Sequence, residues 1–183
     1  MFHTKRELTK LDKTERFSPH CVQLGPKSGP HLLVWGIIGW QGVGPLKRIN
    51  GTLNALEYQQ QVLNDVEEVT LVVTGRKPGT CIFQQDNAPP HRALSTQQYL
   101  TNKGVRTIEW PGNSPDLNPI EHVWSYVAKI LDGFPLPRNA AELWESVQSA
   151  WARVPTPYVR DLIRSIPRRV HSVIKSKGGF TRY

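Results

Sequence analysis

Residues 81 to 130 constrain this chain more than any other stretch. They open on a short apolar run, Cys-Ile-Phe, which reads as a strand over 80–84 that delivers Asp86. They close on a helix in which Ile120, Val123, Val127 and Ile130 share one face. Asn118 reads as the N-cap of that helix, Pro119 as its first residue and Glu121 as its third. In between, Ser95 can cap a helix over 96–102 that Lys103-Gly104 ends, and 105–110 alternates as a strand. Strands that alternate with helices in this way define an α/β domain.

The flanking segments fit the same architecture. Leu32–Gly39 reads Leu-Leu-Val-Trp-Gly-Ile-Ile-Gly, a buried strand. Gln41-Gly42-Val43-Gly44 supplies a turn and 45–49 a second strand, so the two form a hairpin. Thr52 or Asn54 caps a helix over about 55–63, and 69–74 either continues it or forms a short extended piece. Phe134-Pro135-Leu136-Pro137 breaks the chain. Beyond it, Asn139 caps a helix to about 153 that carries Leu143, Val147, Ala150 and Trp151 on one face. Thr156 opens another helix to 165, and 168–175 forms the last, stopped at Gly178-Gly179. Residues 1–30 are polar, mixed in charge and punctuated by Gly and Pro. They read as an arm or loop with one short strand at 20–24. The expected division is therefore 1–30 as the arm and 31–183 as the folded domain.

Two carboxylates carry the chemistry. Asp86 ends a strand, Glu121 starts a helix, and 34 residues separate them. Metal-assisted phosphodiester chemistry needs hard oxygen ligands that converge from rigid elements. Structural readings stand beside this one. Asp-Asn-Ala-Pro-Pro is good turn chemistry, and a Glu three residues after an Asn cap suits a capping box. Asp116, in Ser-Pro-Asp-Leu-Asn, reads as a loop residue that bonds backbone N–H groups. Asn87 and His91 follow the strand end, where they could touch DNA or water near a metal, or simply start a helix. Arg160 and Arg164 are spaced i, i+4, and Arg168, Arg169, Lys175, Lys177 and Arg182 follow; Asp161 is the only acid after Glu145. That is the best basic surface in the chain, read either as phosphate-binding or as a solvated face.

These pieces carry a family resemblance. Gln84-Gln85-Asp86-Asn87-Ala88-Pro89-Pro90-His91 and Ser114-Pro115-Asp116-Leu117-Asn118-Pro119-Ile120-Glu121, with the 34-residue spacer, resemble the catalytic domain of Tc1/mariner transposases of the DDE superfamily. Val34-Trp35-Gly36, Gly42-Val43-Gly44 and Ser165-Ile166-Pro167-Arg168-Arg169 extend the likeness over roughly residues 15 to 183. The resemblance implies a ribonuclease H-like mixed sheet flanked by helices. It also implies Asp86 and Glu121 as catalytic, metal-holding carboxylates for magnesium, with manganese as a substitute. Nucleic-acid contact falls to Asn87, His91, Arg160, Arg164, Arg168, Arg169 and Lys175. Transposon-end and target DNA are the implied partners, with a homodimer as an implied assembly and the nucleus as the implied location.

One family feature has no match. Relatives carry a first Asp on the central strand, and the only Asp before residue 50, Asp12, sits in the polar context Lys-Leu-Asp-Lys-Thr-Glu-Arg. The expectation is a fold that lacks that strand, in a chain corresponding to the latter part of a Tc1-like transposase, with weak metal binding and little cleavage. A non-enzymatic DNA-binding or assembly remnant, and another nuclease of the same fold, are the alternatives.

Composition agrees with a nucleic-acid partner. Lys and Arg number 23 against 15 Asp and Glu, a net charge of +8. Cys21 and Cys81 form no Cys-x-x-Cys pair, which argues against a zinc site or a disulfide framework. No secretory signal pattern or membrane-length apolar run is visible. Gly-x-Ser-x-Gly, Walker and dinucleotide-binding motifs are absent, so no small-molecule substrate is implied.

Overall fold

The computed structural model describes residues 21–25, 29–77, 79–112, 114–178 and 181, with backbone alone at 21–23. Strand β2 (Leu32–Gly39) is central. It pairs antiparallel with β1 (Cys21–Leu24) on one edge and with β3 (Gly42–Ile49) on the other. The strand expected at 20–24 is therefore present at Cys21–Leu24, and it belongs to the sheet rather than to a free arm. Residues 1–20 and 26–28, Asp12 among them, lie outside the described residues. β3 starts three residues before the expected 45–49 because the turn is only Trp40-Gln41.

β2 is apolar throughout because both of its faces are buried. Leu32 and Val34 join a cluster with α5 (Ile120–Leu131), α6 (Ala140–Ala152) and α7 (Thr156–Arg164). Trp35 and Ile37 point the other way, into a cluster with α1 (Ala55–Gln61), α2 (Val66–Thr74) and α4 (Leu94–Asn102). The alternation follows the period-two geometry of a strand. Gly36 faces the first cluster, where the stacked rings of Trp124 and Trp151 lie 4.8 Å apart, centroid to centroid. A Cβ at Gly36 would come within 2.8 Å of Trp151 and 2.9 Å of Trp124. Trp151 also donates its indole N–H to the Gly44 carbonyl at 2.8 Å, which ties α6 to the hairpin.

Local signals account for most helix boundaries. Asn54 caps α1 by accepting the Glu57 N–H, and Asn139 caps α6 by accepting that of Glu142. Residues 69–74 resolve as helix within α2, reached through a 3-10 turn at Leu63–Asp65 and closed by Gly75 at φ +68°. Ser95 does not cap α4; that helix begins at Leu94 with Ala93 at its N-cap, directly after the short α3 (Pro89–Arg92). The last helix, α8 (Ile166–Lys175), follows α7 through Ser165.

The second sheet is smaller than expected. β4 (Ile82–Phe83) and β5 (Arg106–Thr107) form a parallel pair, in place of strands over 80–84 and 105–110. Among the described residues no hydrogen-bonded strand joins this pair to the β1–β2–β3 sheet. Both residues of β5 are exposed, and Ile82 of β4 is too. A strand needs a buried face to hold long pairing, and within the expected spans only Phe83 and Val105 join the core.

Gly36→Ala is expected to lower the unfolding free energy by about 1–3 kcal/mol through overpacking against the two indoles. Urea denaturation checks it, read as a lower midpoint at unchanged slope. An unchanged midpoint would show that the ring pair yields without cost.

Candidate metal and nucleic-acid site

β4 and β5 are parallel, with Phe83 opposite Thr107, so their C-terminal ends emerge on one side. Asp86 follows Phe83 by three residues and Trp110 follows Thr107 by three. Asn87 donates from its side-chain amide to the Trp110 carbonyl, which ties the two emerging loops together. The second loop then runs through a 3-10 turn at Pro115–Leu117 into α5.

Asp86 is held closely. Its Oδ1 accepts the Ala88 N–H at 3.0 Å, an Asx-type turn. The same oxygen lies 2.6 Å from His91 Nδ1, and that nitrogen is 3.2 Å from the Asp86 carbonyl oxygen. Both neighbours are acceptors, so Nδ1 carries the hydrogen. His91 is 2% exposed, and its ring lies 4.4 Å from the Tyr58 ring of α1, centroid to centroid. The Tyr58 hydroxyl donates to Gln85 Oε1 at 2.9 Å. His91 thus faces Asp86 and the core. As folded, it is too deep to meet DNA.

Glu121 occupies the first turn of α5. Pro119 already has helical φ/ψ, and Asn118 ahead of it is extended and accepts the Ile120 N–H at 3.4 Å. Asn118 therefore serves the expected capping role one residue before the assigned cap position. The neighbouring His122 is held below the usual histidine range, first by burial and then by the positive charge of Arg169.

The basic residues separate into two groups. Arg169 is 1% exposed: its Nε donates to Ser165 Oγ at 2.7 Å and its Nη1 to the Asp116 carbonyl at 2.7 Å. Arg169 is therefore an internal clamp, in contrast to the surface role expected of it. Helical spacing explains why, because Leu162, Ser165, Arg169 and Val173 fall on the inward side of α7 and α8. Arg160 and Arg164 are also engaged. Their guanidinium carbons lie 5.5 and 5.1 Å from the Trp40 ring centroid. Arg160 donates to the Trp40 carbonyl at 2.8 Å, and Arg164 pairs with Asp161 at 3.0 Å. They dock α7 onto the hairpin turn. Arg168 and Lys175 are exposed, as is Lys177 beyond α8.

Asp116 anchors the loop, with different partners from those expected. Its Oδ2 accepts the Thr181 hydroxyl at 2.8 Å, and its carbonyl takes the Arg169 bond. Sequence reasoning missed Tyr58 and Gln85, whose hydrogen bond spans 27 residues and leaves no local signal. The His91–Asp86 contact had one, since the Pro-Pro pair starts a helical turn that brings residue 91 back towards residue 86.

The donors at Asp86 and Glu121 are hard oxygens. Among the described residues no group of three His, Cys, Asp or Glu side chains gathers as a metal cage. Magnesium keeps several waters and takes one or two carboxylates, so this donor chemistry suits it better than a closed zinc site would. No helix among the described residues is long and apolar enough to cross a membrane.

Comparison with known proteins fits this geometry. Residues 53–151 match the family described as DDE superfamily endonuclease. The Tcb1 transposase of Caenorhabditis briggsae is 36% identical over 155 residues, covering 85% of this chain and 55% of that protein. The Tc1 transposase of Caenorhabditis elegans is 34% identical over 170 residues, covering 92% of this chain and 60% of that protein. The chain thus spans a little over half the length of these relatives. Among solved structures, the catalytic domain of Mos1 mariner transposase superposes with a TM-score of 0.74 at 18% identity, over 88% of this chain and 81% of that one. The mariner Mos1 paired end complex with Mg gives 0.74 at 20% identity, over 97% and 52%. The fold is therefore the ribonuclease H-like one of the Mos1 catalytic domain, and the chain belongs to the DDE endonuclease superfamily, in its Tc1/mariner transposase branch.

Proposed function

We propose that residues 31–183 form the catalytic-domain portion of a DNA transposase, in which Asp86 and Glu121 take a divalent metal, magnesium or manganese. One observation carries this reading. Asp86 is fixed three residues past the C-terminal end of β4, beside the loop that leads from Trp110 to Glu121. In parallel α/β pairs, ligands gather outside the C-terminal strand ends. A bound metal would supply Lewis-acid polarisation of phosphate oxygens and a water of lowered pKa. The chain's own part is to orient the two carboxylates and to hold the DNA backbone. Arg168, Lys175 and Lys177, exposed on α8 and just beyond it, are suited to phosphate contact. The reaction proposed from family membership is water attack on DNA, then attack of the freed 3′-hydroxyl on target DNA. Transposon ends and target DNA are the proposed partners, a homodimer the proposed assembly and the nucleus the proposed location. Solved Mos1 complexes described as paired end and strand transfer complexes support the DNA partner.

The two carboxylates should lie within roughly 8 Å of each other, given metal–oxygen bonds of about 2 Å and paired metals about 4 Å apart. Adding Mn²⁺ should broaden the NMR signals of Asp86 and Glu121 together. Broadening at one and not the other would sink the shared site.

Duplex DNA binding should be sequence-tolerant and steeply salt-dependent, as a net charge of +8 implies. Arg168→Ala and Lys175→Ala should each reduce the salt slope by about one. Arg169→Ala should instead destabilise the fold by roughly 2–4 kcal/mol, because it removes a buried, hydrogen-bonded charge. Binding titrations at two salt concentrations, set beside thermal unfolding, separate the two classes. A salt-independent affinity would count against the interface.

The 183 residues alone should not cut DNA. Two carboxylates bring a charge of about −2 against about +4 for a metal pair, and one lost electrostatic contributor commonly costs 10²–10³-fold. Incubation with a terminal-repeat duplex and Mg²⁺ or Mn²⁺ tests this. Specific nicking that vanishes in both Asp86→Ala and Glu121→Ala would overturn it and would mean that another acid completes the site.

A further inference from the structure

We infer that His91 is a positioning residue for the Asp86 carboxylate, acting through a hydrogen bond from Nδ1 and held in place by Tyr58. The inference rests on the proposed reading of Asp86 as a metal ligand and adds the means by which that ligand is aimed. An aspartate in a loop three residues past a two-residue strand has a short side chain that is otherwise free to rotate. Here one oxygen is fixed from two directions, by the Ala88 N–H at 3.0 Å and by His91 Nδ1 at 2.6 Å. His91 reaches that position because the turn starting at Pro89 folds back, its own N–H bonding the Ala88 carbonyl at 2.9 Å. The ring cannot swing away, being 2% exposed and packed against Tyr58 at 4.4 Å. Tyr58 is itself fully buried and donates to Gln85, the residue before Asp86. The Asp86 backbone and its carboxylate are thus braced by one buried tyrosine, directly through Gln85 and indirectly through His91. Outer groups of this kind set ligand orientation, and their loss typically costs about 10–100-fold in metal affinity.

The geometry separates donor position from mere burial. The side-chain N–H of asparagine sits where histidine Nδ1 does, whereas that of glutamine lies one bond further out. The experiment is a Mn²⁺ titration of the full chain by electron paramagnetic resonance, comparing wild type, Asp86→Asn, His91→Asn and His91→Gln. Thermal unfolding of each, and ¹⁵N NMR of the wild-type imidazole, accompany it. Expected results are loss of binding in Asp86→Asn, affinity within about threefold of wild type in His91→Asn, and about tenfold or greater weakening in His91→Gln, with similar unfolding temperatures for the two His91 variants. Equal affinity in both His91 variants, whether retained or lost, would overturn the positioning role while leaving Asp86 a ligand. Unchanged binding in Asp86→Asn, or none in wild type, would overturn the metal reading instead. In that case, or if a His91 variant does not fold, the ring signals decide. A protonated Nδ1 bonded to Asp86 upholds the inference, and a hydrogen on Nε2 with Nδ1 bare refutes it.

Discussion

Burial of β2 on both faces is the constraint on which the rest of the structure depends. Leu32 and Val34 on one side, and Trp35 and Ile37 on the other, oblige two sets of helices to cover a three-stranded sheet. Gly36 lets the Trp124–Trp151 pair approach the backbone, and the Trp151 bond to Gly44 fixes the depth of α6. α5 packs on that same face through Ile120, Val123, Trp124 and Val127. Glu121 therefore owes its location to residues that have no part in the chemistry proposed for it. Moving the indole pair would move the first turn of α5 with it.

Two buried polar clamps brace the loops that carry the proposed site. One is Tyr58–Gln85 with His91–Asp86, which braces the loop after β4. The other is Ser165–Arg169–Asp116, which braces the loop before α5. Neither clamp is a surface salt bridge, the kind of pair that contributes little. Both are enclosed, where a satisfied polar network is strong and a broken one costly. Together they fix the two loops that leave β4 and β5. α8 thus has two faces, with Arg169 inward as a strut and Arg168, one position before it, towards solvent.

What was legible in the sequence was whatever had a local cause. The β2 run, the Asn54 and Asn139 caps and the apolar faces of α5 and α6 all announce themselves within a few residues. The α/β class followed from their order, and the Gln84–His91 and Ser114–Glu121 motifs pointed to the family. Failures came where long-range packing decides. β4 and β5 shrank because, within the expected spans, only Phe83 and Val105 find a core. Arg160 and Arg164 look like a free basic pair until Trp40, 120 residues before Arg160, is placed beneath them. Arg169 was misplaced because its charge outweighed its helical phase, although Ser165 and Val173 one turn to either side marked the inward face.

The electrostatics around Glu121 tie these features to the proposed chemistry. A carboxylate in the first turn of a helix meets the positive end of the macrodipole. Arg169 lies close enough to help push the neighbouring His122 downward. A positive environment attracts anions, yet it also repels the cation that Glu121 would hold on the proposed reading. On the proposed reading, the negative charge that restores the balance comes from the DNA phosphates, which the same field attracts. Metal and nucleic acid would then bind best together, each lowering the cost of the other. The free protein would keep Asp86 aimed by hydrogen bonds from His91 and the Ala88 N–H instead of by a resident ion. On the proposed reading, that division of labour would account for the buried polar structure that serves two short loops.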